Sequence, residues 1–447
     1  MTRILTTLLS VVVAVGATIA LFVALNWVLD QAPRRWRVFT TVVGALLGAV
    51  VGAFANSGGW FLGGPAWPLG GAALGAGLGA LVWGRKPPPR AKARRIPDRL
   101  RPWVFLFPAF FFLLVGLFVP TIRTIYLSFR SRRGEEFAGI DNYRSIFRDK
   151  EMISFDGFFD IFTSRLFLLA VIVALAGIGW AVLHGRRTGA GTDLSAPTPV
   201  LSLSATAALV VLAMVSVLRG VLWNNLFWVV IVTAVATAAG LGIAVLADRT
   251  RGESAAKSLI FMPLAISFVG ASVIWRFVYA YTPAGSQQIG LLNAVWVGAG
   301  GEPQNWLFQQ PWNTLFLIAI MIWVQTGFAM VVLSAAIKAV PIELTEAARM
   351  DGATEPQIFW RITVPQIRST ILVVVTTLVI TVLKVYDIVK VMTNGTAGTN
   401  VIANQMFDEA FINRNVGRGA ALAVLLFIAV IPVMIINVRR SDEGATA

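Results

Sequence analysis

Long apolar runs separated by short polar joints fill the chain almost from end to end. A helix needs about 20 apolar residues to cross the hydrocarbon core of a bilayer. By that measure the pattern predicts about eleven spans, at residues 4–29, 38–54, 69–83, 103–129, 162–183, 200–217, 227–246, 259–279, 315–337, 371–391 and 420–436. The third is short and rich in glycine. The first is longer than the roughly 7–15 apolar residues of a secretory leader, so it reads as a span. The fold class is all-α, a polytopic membrane protein.

The polar joints give the chain its orientation. Residues 85–101 hold Arg85, Lys86, Arg90, Lys92, Arg94, Arg95, Arg99 and Arg101 against Asp98 alone, around Pro87, Pro88 and Pro89. Cytoplasmic loops carry such an excess of Lys and Arg, and anionic headgroups would attract it. Alternating from that linker puts Arg34, Arg35, Arg37, Arg186, Arg187, Arg249, Arg251, Arg439 and Arg440 inside. The N-terminus then lies outside and the C-terminus in the cytoplasm. The joint after Phe129 departs from the rule: it would be external yet holds Arg130, Arg132, Arg133, Arg144, Arg148 and Lys150, balanced by Glu135, Glu136, Asp141, Asp149, Glu151 and Asp156. The chain divides into an N-terminal extension of about three spans (1–84), the basic linker (85–102) and a main body (103–440). Within that body, 162–217 reads as an inserted hairpin and 223–440 as five further spans.

Composition narrows the function. Of 447 residues, 57% are hydrophobic and 13% charged, half the charged share of a soluble domain. Lys and Arg exceed Asp and Glu by 37 to 22; in a membrane protein this marks loops and not a nucleic-acid surface. With no cysteine and His184 as the one histidine, thiolate sites, thiol nucleophiles and multi-histidine metal sites are excluded. No Gly-Lys pair occurs, hence no phosphate loop of the G-x-x-x-x-G-K-[ST] type. The chain is expected to bind no cofactor and to catalyse nothing itself.

One polar island is too ordered for a connector. Residues 338–369 read KAVPIELTEAARMDGATEPQIFWRITVPQIRS. Pro341 suits a helix start, residues 342–350 favour helix, and Gly352 suits its stop. Thr354 with Gln357 forms a capping box with Pro356 in the first turn. Ile358, Phe359 and Ile362 give the second helix an apolar face, and Pro365 is placed to end it. Four acids (Glu343, Glu346, Asp351, Glu355) balance four bases (Lys338, Arg349, Arg361, Arg368). Membrane-surface helices carry a basic polar face; this neutral pair suits a protein groove.

The run Glu346-Ala347-Ala348, three residues, Gly352, nine residues, then Ile362-x-Val364-Pro365 resembles the EAA loop of membrane subunits of binding-protein-dependent ABC importers. The family usually has leucine where Val364 stands, which keeps the position apolar. The resemblance extends over residues 223–440, densest in AVLADR (244–249), AKSLIFMPLAISFVGASVIW (256–275), IGLLNA (289–294), QTGFA (325–329), VYDIVKVMTN (385–394) and NVGRGA (415–420), with FAGIDNY at 137–143. These stretches are similar to the maltose/α-glucoside branch of carbohydrate permeases.

The resemblance implies a six-helix type I importer core in the plasma or inner membrane of a prokaryote. It implies a cytoplasmic ABC ATPase dimer that binds ATP and Mg, a second homologous permease and an extracytoplasmic sugar-binding protein. Glu346, Ala347, Ala348, Gly352, Ile362 and Pro365 would form the coupling segment, and the loops 282–310 and 393–415 would help receive the binding protein. Ionisable and polar groups inside spans mark a pathway; Gln325, Thr326, Phe328, Tyr386 and Asp387 are the candidates, with Trp323 beside them. Lys384 and Asp387, spaced i, i+3, suit a structural ion pair equally well. The alternative is an ion-coupled secondary transporter, which would be expected to show internal repeats and intramembrane carboxylates; Asp387 is the one convincing carboxylate.

Overall fold

The computed structural model describes residues 36–57, 66–78, 80, 102–103, 105–106, 109–110, 112–188, 197–248 and 252–445. The expected span 4–29 and most of the basic linker lie outside them. The chain divides into two compact units, Met1–Arg123 and Thr124–Ala447. The division falls inside the expected span 103–129, whose described residues are helical and include a π turn at Leu114–Phe118 followed by α3, Val119–Ser128.

In the first unit, α1 (Trp36–Ser57) and α2 (Ala66–Leu78) cover the expected spans 38–54 and most of 69–83. A Cβ on Gly48 would lie 2.0 Å from the Gly71 carbonyl oxygen, and one on Gly75 2.0 Å from that of Gly44. The contacts run in opposite directions along the chain, so the helices are antiparallel. Apolar side chains give no net drive between helices in lipid, and small residues let backbones approach instead.

The regular elements of the second unit's described residues are helices, joined by turns and irregular segments, without a β-strand. A short helix, α4 (Asp141–Arg148), is followed by α5 (Arg165–Thr188), α6 (Pro197–Val217) and α7 (Val221–Ala247). Next come α8 (Glu253–Phe261), α9 (Phe268–Val278), α10 (Asn313–Lys338), α11 (Ile342–Met350) and α12 (Glu355–Ile358). The last four are α13 (Arg368–Leu383), α14 (Asp387–Met392), α15 (Ile402–Phe407) and α16 (Val416–Ala445).

Among the described residues, five helices are long and apolar enough to cross a membrane: α5, α6, α7, α10 and α16; counting each of two bent pairs, 253–278 and 355–383, as one span gives up to seven. The expected span 259–279 begins earlier, at Glu253, and bends by 103° between α8 and α9. Pro263 lies in the turn and Ile266 is extended, while the Ser267 hydroxyl caps α9 by accepting from the Gly270 amide at 3.1 Å. The expected span 371–391 is also interrupted: α13 stops at Leu383 and α14 restarts at Asp387.

The core lies around α10. It crosses α7 so closely that a Cβ on Gly240 would meet the Ala329 methyl at 2.6 Å. Trp228, Val232, Leu317, Ile318, Ile320 and Met321 are buried there beside Val382, Ile388 and Val389. The α5–α6 hairpin instead turns Leu168, Ile172, Leu175 and Leu201 outward, the face expected to meet acyl chains.

The charged joint 130–160 is folded onto the ends of α7 and α16. Trp223 Nε1 donates to the Ser154 carbonyl at 3.0 Å, the Val221 amide to that of Glu151 at 3.1 Å, and Arg132 Nη2 to that of Asn413 at 2.7 Å. Its balance of charges therefore belongs to a docked segment, which the rule for short, solvated loops does not describe.

Candidate functional site

Two features of the second unit combine polar chemistry with organised backbone. The first is a cavity of about 230 Å³ where the interrupted spans meet. Phe268 from the start of α9, Met321 from α10 and Thr381 from α13 line it with Lys384, Val385, Tyr386, Asp387 and Ile388. Residues 384–386 are not helical, and Tyr386 has φ −139° and ψ −57°. Non-helical backbone at membrane depth is tolerated only where protein or a cavity meets it; this break borders the cavity, and Asn225 Nδ2 donates to the Leu383 carbonyl just before it. Its interruption also removes the i, i+3 geometry: no ion pair joins Lys384 to Asp387 among the described residues. Lys384 is exposed to the cavity side, and Tyr386 and Asp387 are half-buried.

The structure thus brings Tyr386 and Asp387 to one cavity. Gln325, Thr326 and Phe328 lie deeper along α10, outside its lining; the first two are buried and Phe328 half-buried. Thr326 Oγ1 donates to the Ile322 carbonyl of its own helix at 2.7 Å. Trp323 packs against Trp275, ring centroids 5.7 Å apart.

The chain leaving α14 is held by amides that sequence reasoning passed over. Asn224 Nδ2 donates to the carbonyls of Gly398 (2.6 Å) and Asn400 (3.0 Å), and Asn313 Nδ2 to that of Ala397 (2.8 Å). Asn225 receives the Ile402 amide at 3.2 Å and donates to the Leu383 carbonyl at 3.4 Å, at the end of α13. All three asparagines are buried. A pair of asparagines opening an otherwise apolar run was the available signal. Beyond them, Lys390 pairs with Asp408 at 2.9 Å, and Arg418 bonds Asp149 and approaches Glu409 at 3.5 Å.

The second feature is the helix pair between α10 and α13. Pro341 is the cap before α11, so Ile342 is its first helical residue. Gly352, at φ +79°, ends it: its amide donates to the Arg349 carbonyl at 3.0 Å and that of Ala353 to Ala348 at 2.9 Å. These are the two bonds of a Schellman turn. The Thr354 amide then donates to Gln357 Oε1 at 2.8 Å. Arg349 Nε crosses the turn to Glu355 Oε1 at 2.8 Å, and that hydrogen bond holds the guanidinium above its ordinary pKa.

Pro365 is the next-to-last residue of the second helix, which stops at Gln366, and it is preceded by a π turn at Phe359–Thr363 in which the Val364 amide reaches back to the Phe359 carbonyl. Proline lacks the amide and crowds the carbonyl four residues back, so the wider turn accommodates it. Ile367 caps the helix and the chain bends by 69° into α13. Glu346 and Ala347 face outward, as do Gly352 and Pro365; Ala348 and Ile362 are half-buried, and Ile358 is buried. Met350 (89% exposed) and Trp360 (58%) stand free on this surface.

Similarity to known proteins agrees with this arrangement. Residues 194–439 match the family described as binding-protein-dependent transport system inner membrane component. The osmoprotective compounds uptake permease protein GgtC of Synechocystis sp. is 45% identical over 337 residues, 75% of this chain and 97% of GgtC. The alpha-glucoside transport system permease protein AglF of Rhizobium meliloti is 42% identical over 350 residues, 78% of this chain and 84% of AglF. A crystal structure of a bacterial ABC transporter that imports the acidic polysaccharide alginate superposes with a TM-score of 0.52 at 18% identity, over 79% of this chain and 99% of that one, which shows the shared fold. With more than half of its length matched, the chain belongs to the family of binding-protein-dependent transport system inner membrane components.

Proposed function

We propose that this chain is a permease subunit of an ATP-driven sugar importer that carries α-glucosides such as maltose or trehalose. ATP hydrolysis in a partner ATPase dimer drives its spans between inward- and outward-open states, while a second permease completes the pathway and an extracytoplasmic binding protein delivers the sugar. The observation that carries this reading is the helix pair 342–366, wedged between α10 and α13 and stiffened by a Schellman turn, the Thr354–Gln357 bond and the Arg349–Glu355 ion pair. A rigid pair transmits a rigid-body displacement; a loose connector would absorb it. Glu346, Ala347, Ala348, Gly352, Ile362 and Pro365 form the coupling segment, in which Glu346 anchors at the ATPase surface and exposed Met350 and Trp360 add apolar area. ATP and Mg belong to the ATPase.

The helix-pair end faces the cytoplasm, with the C-terminus on that side and the N-terminus outside. Four N-terminal spans expected from sequence join the five straight and two bent spans to make eleven. The cavity at 384–388 is a station on the sugar pathway, where Tyr386 offers a ring face and hydroxyl, Asp387 accepts and Lys384 donates. The AglF relationship supports the substrate class. No observation favours an ion-coupled mechanism.

Uptake measured with a panel of labelled α-glucosides tests the substrate; transport of none of them rejects it. Replacing Glu346 or Gly352 by alanine should leave the chain in the membrane and cut ATP-driven uptake, and wild-type uptake in both variants would sink the coupling role.

A further inference from the structure

Asp248 is the residue at which α7 ends. A carboxylate there opposes the helix dipole, because the C-terminal end of a helix carries partial negative charge. The compensation comes from other helices. Lys257 of α8 donates to Asp248, to Ser334 of α10, and at 2.6 Å to Glu253 of its own helix, so all three ammonium hydrogens have acceptors. The Ser334 hydroxyl donates to the same Asp248 oxygen at 2.9 Å. Glu253 in turn takes Lys338, the last residue of α10. The Lys257 and Asp248 side chains are 17% and 15% exposed, and that of Lys338 53%.

Sequence reasoning counted Lys338 among the bases of the coupling segment; the structure gives it to this cluster. Asp248 and Lys257 come from the sequence stretches AVLADR and AKSLIFMP, nine residues apart, and the structure makes them partners. Ser334 and Lys338 are one turn apart on the foot of α10, and Ile342 opens the helix pair four residues later.

We propose that Asp248, Glu253, Lys257, Ser334 and Lys338 form a latch that fastens the foot of α10 to α7 and α8, with Lys257 as its positioning residue, so that a displacement of the helix pair moves three spans together. The proposal rests on the coupling reading above. A buried ion pair is weak support for stability in itself, since apolar replacements often serve as well. The position of the latch, at the one exit of α10 into the helix pair, gives it a different use: without it the push would move α10 alone.

The test uses the assembled transporter in proteoliposomes and reads sugar taken up per ATP hydrolysed. Lys257→Met should keep ATP hydrolysis while uptake per ATP falls about tenfold, within the usual range of coupling energies; Lys257→Arg should restore most of it. Ser334→Ala and exposed Lys338→Gln should each give a smaller loss in the same ratio, and they decide the matter if Lys257→Met fails to assemble. An unchanged ratio in the assembled variants, with Glu346→Ala and Gly352→Ala uncoupled, overturns the latch and leaves the coupling reading standing. A wild-type ratio in Glu346→Ala and Gly352→Ala rejects the coupling reading, and the latch with it.

Discussion

Before α13, residues 338–367 satisfy their backbone at short range: the Schellman turn, the Thr354–Gln357 bond and the Arg349–Glu355 pair each join residues no more than six apart. After it, residues 384–418 are tied over long distances, to Asn224 and Asn225 on α7, Asn313 on α10 and Asp149 beyond α4. The first segment leaves Met350 and Trp360 uncovered while Ile358 and Ile367 anchor it to the bundle; the second is folded into the bundle. A segment that must be pushed by a partner gains from carrying its own stiffness. One that walls a cavity inherits its shape from the spans around it.

The sharpest way to break this contrast is to cut a long-range tie. Arg418 sits between Asp149 and the nearly buried Glu409. Arg418→Ala leaves those carboxylates uncompensated and should destabilise the second unit by about 3 kcal/mol, read as a lower melting temperature of the detergent-purified protein. An unchanged melting temperature would mean that water, and not Arg418, satisfies Glu409.

Asn224→Ala comes next. It strands the carbonyls of Gly398 and Asn400, a loss of about 2 kcal/mol at the usual cost of unmet buried groups. The effect should be concentrated in faster amide exchange at residues 393–404. Uniform acceleration across the unit would make Asn224 a general core residue and remove its special relation to that segment.

The same contrast explains what could be read from the sequence. The helix pair was legible because its signals are local: Gly352 for a stop, Thr354 and Gln357 for a start. Pro365 marked the stop to within one residue, at Gln366, while the π turn that precedes it had no such signal. The breaks in the spans 253–278 and 368–392 were not legible, because hydropathy reports only that both stretches are apolar. Where they break depends on a cavity and on donors such as Asn225, which lies more than 150 residues before the Leu383 carbonyl it serves. Tyr386 and Asp387 were found by their polarity within an apolar run. The cavity partners Phe268, Met321 and Thr381 have no such mark and are assembled only by the bends.

Gly352 separates the two kinds of segment by function. A Cβ there would meet nothing within 4 Å, so Gly352→Ala costs only the backbone strain of φ +79°, about 1–2 kcal/mol. Because the turn is exposed and local, the strain should fray α11 without shifting global unfolding, while uptake falls. A matching drop in melting temperature would mean the pair is cooperative with the bundle after all.

Ala397 poses the opposite case and the smallest effect. Its φ of +53° places an ordinary residue in the left-handed region, held there as its carbonyl takes Asn313 Nδ2 at 2.8 Å. Glycine would relieve the strain, about 1 kcal/mol, yet add freedom to the unfolded chain worth about 0.5–1 kcal/mol. Ala397→Gly should therefore stabilise by no more than about 0.5 kcal/mol, visible as a small rise in melting temperature. If it destabilises instead, the methyl is packed and the strain is already offset by contacts. If it stabilises by clearly more, the long-range ties hold this segment in a conformation its own sequence opposes. Strain of that kind persists where the surrounding structure over-determines a conformation, as the amides of Asn224 and Asn313 do for the turn following α14.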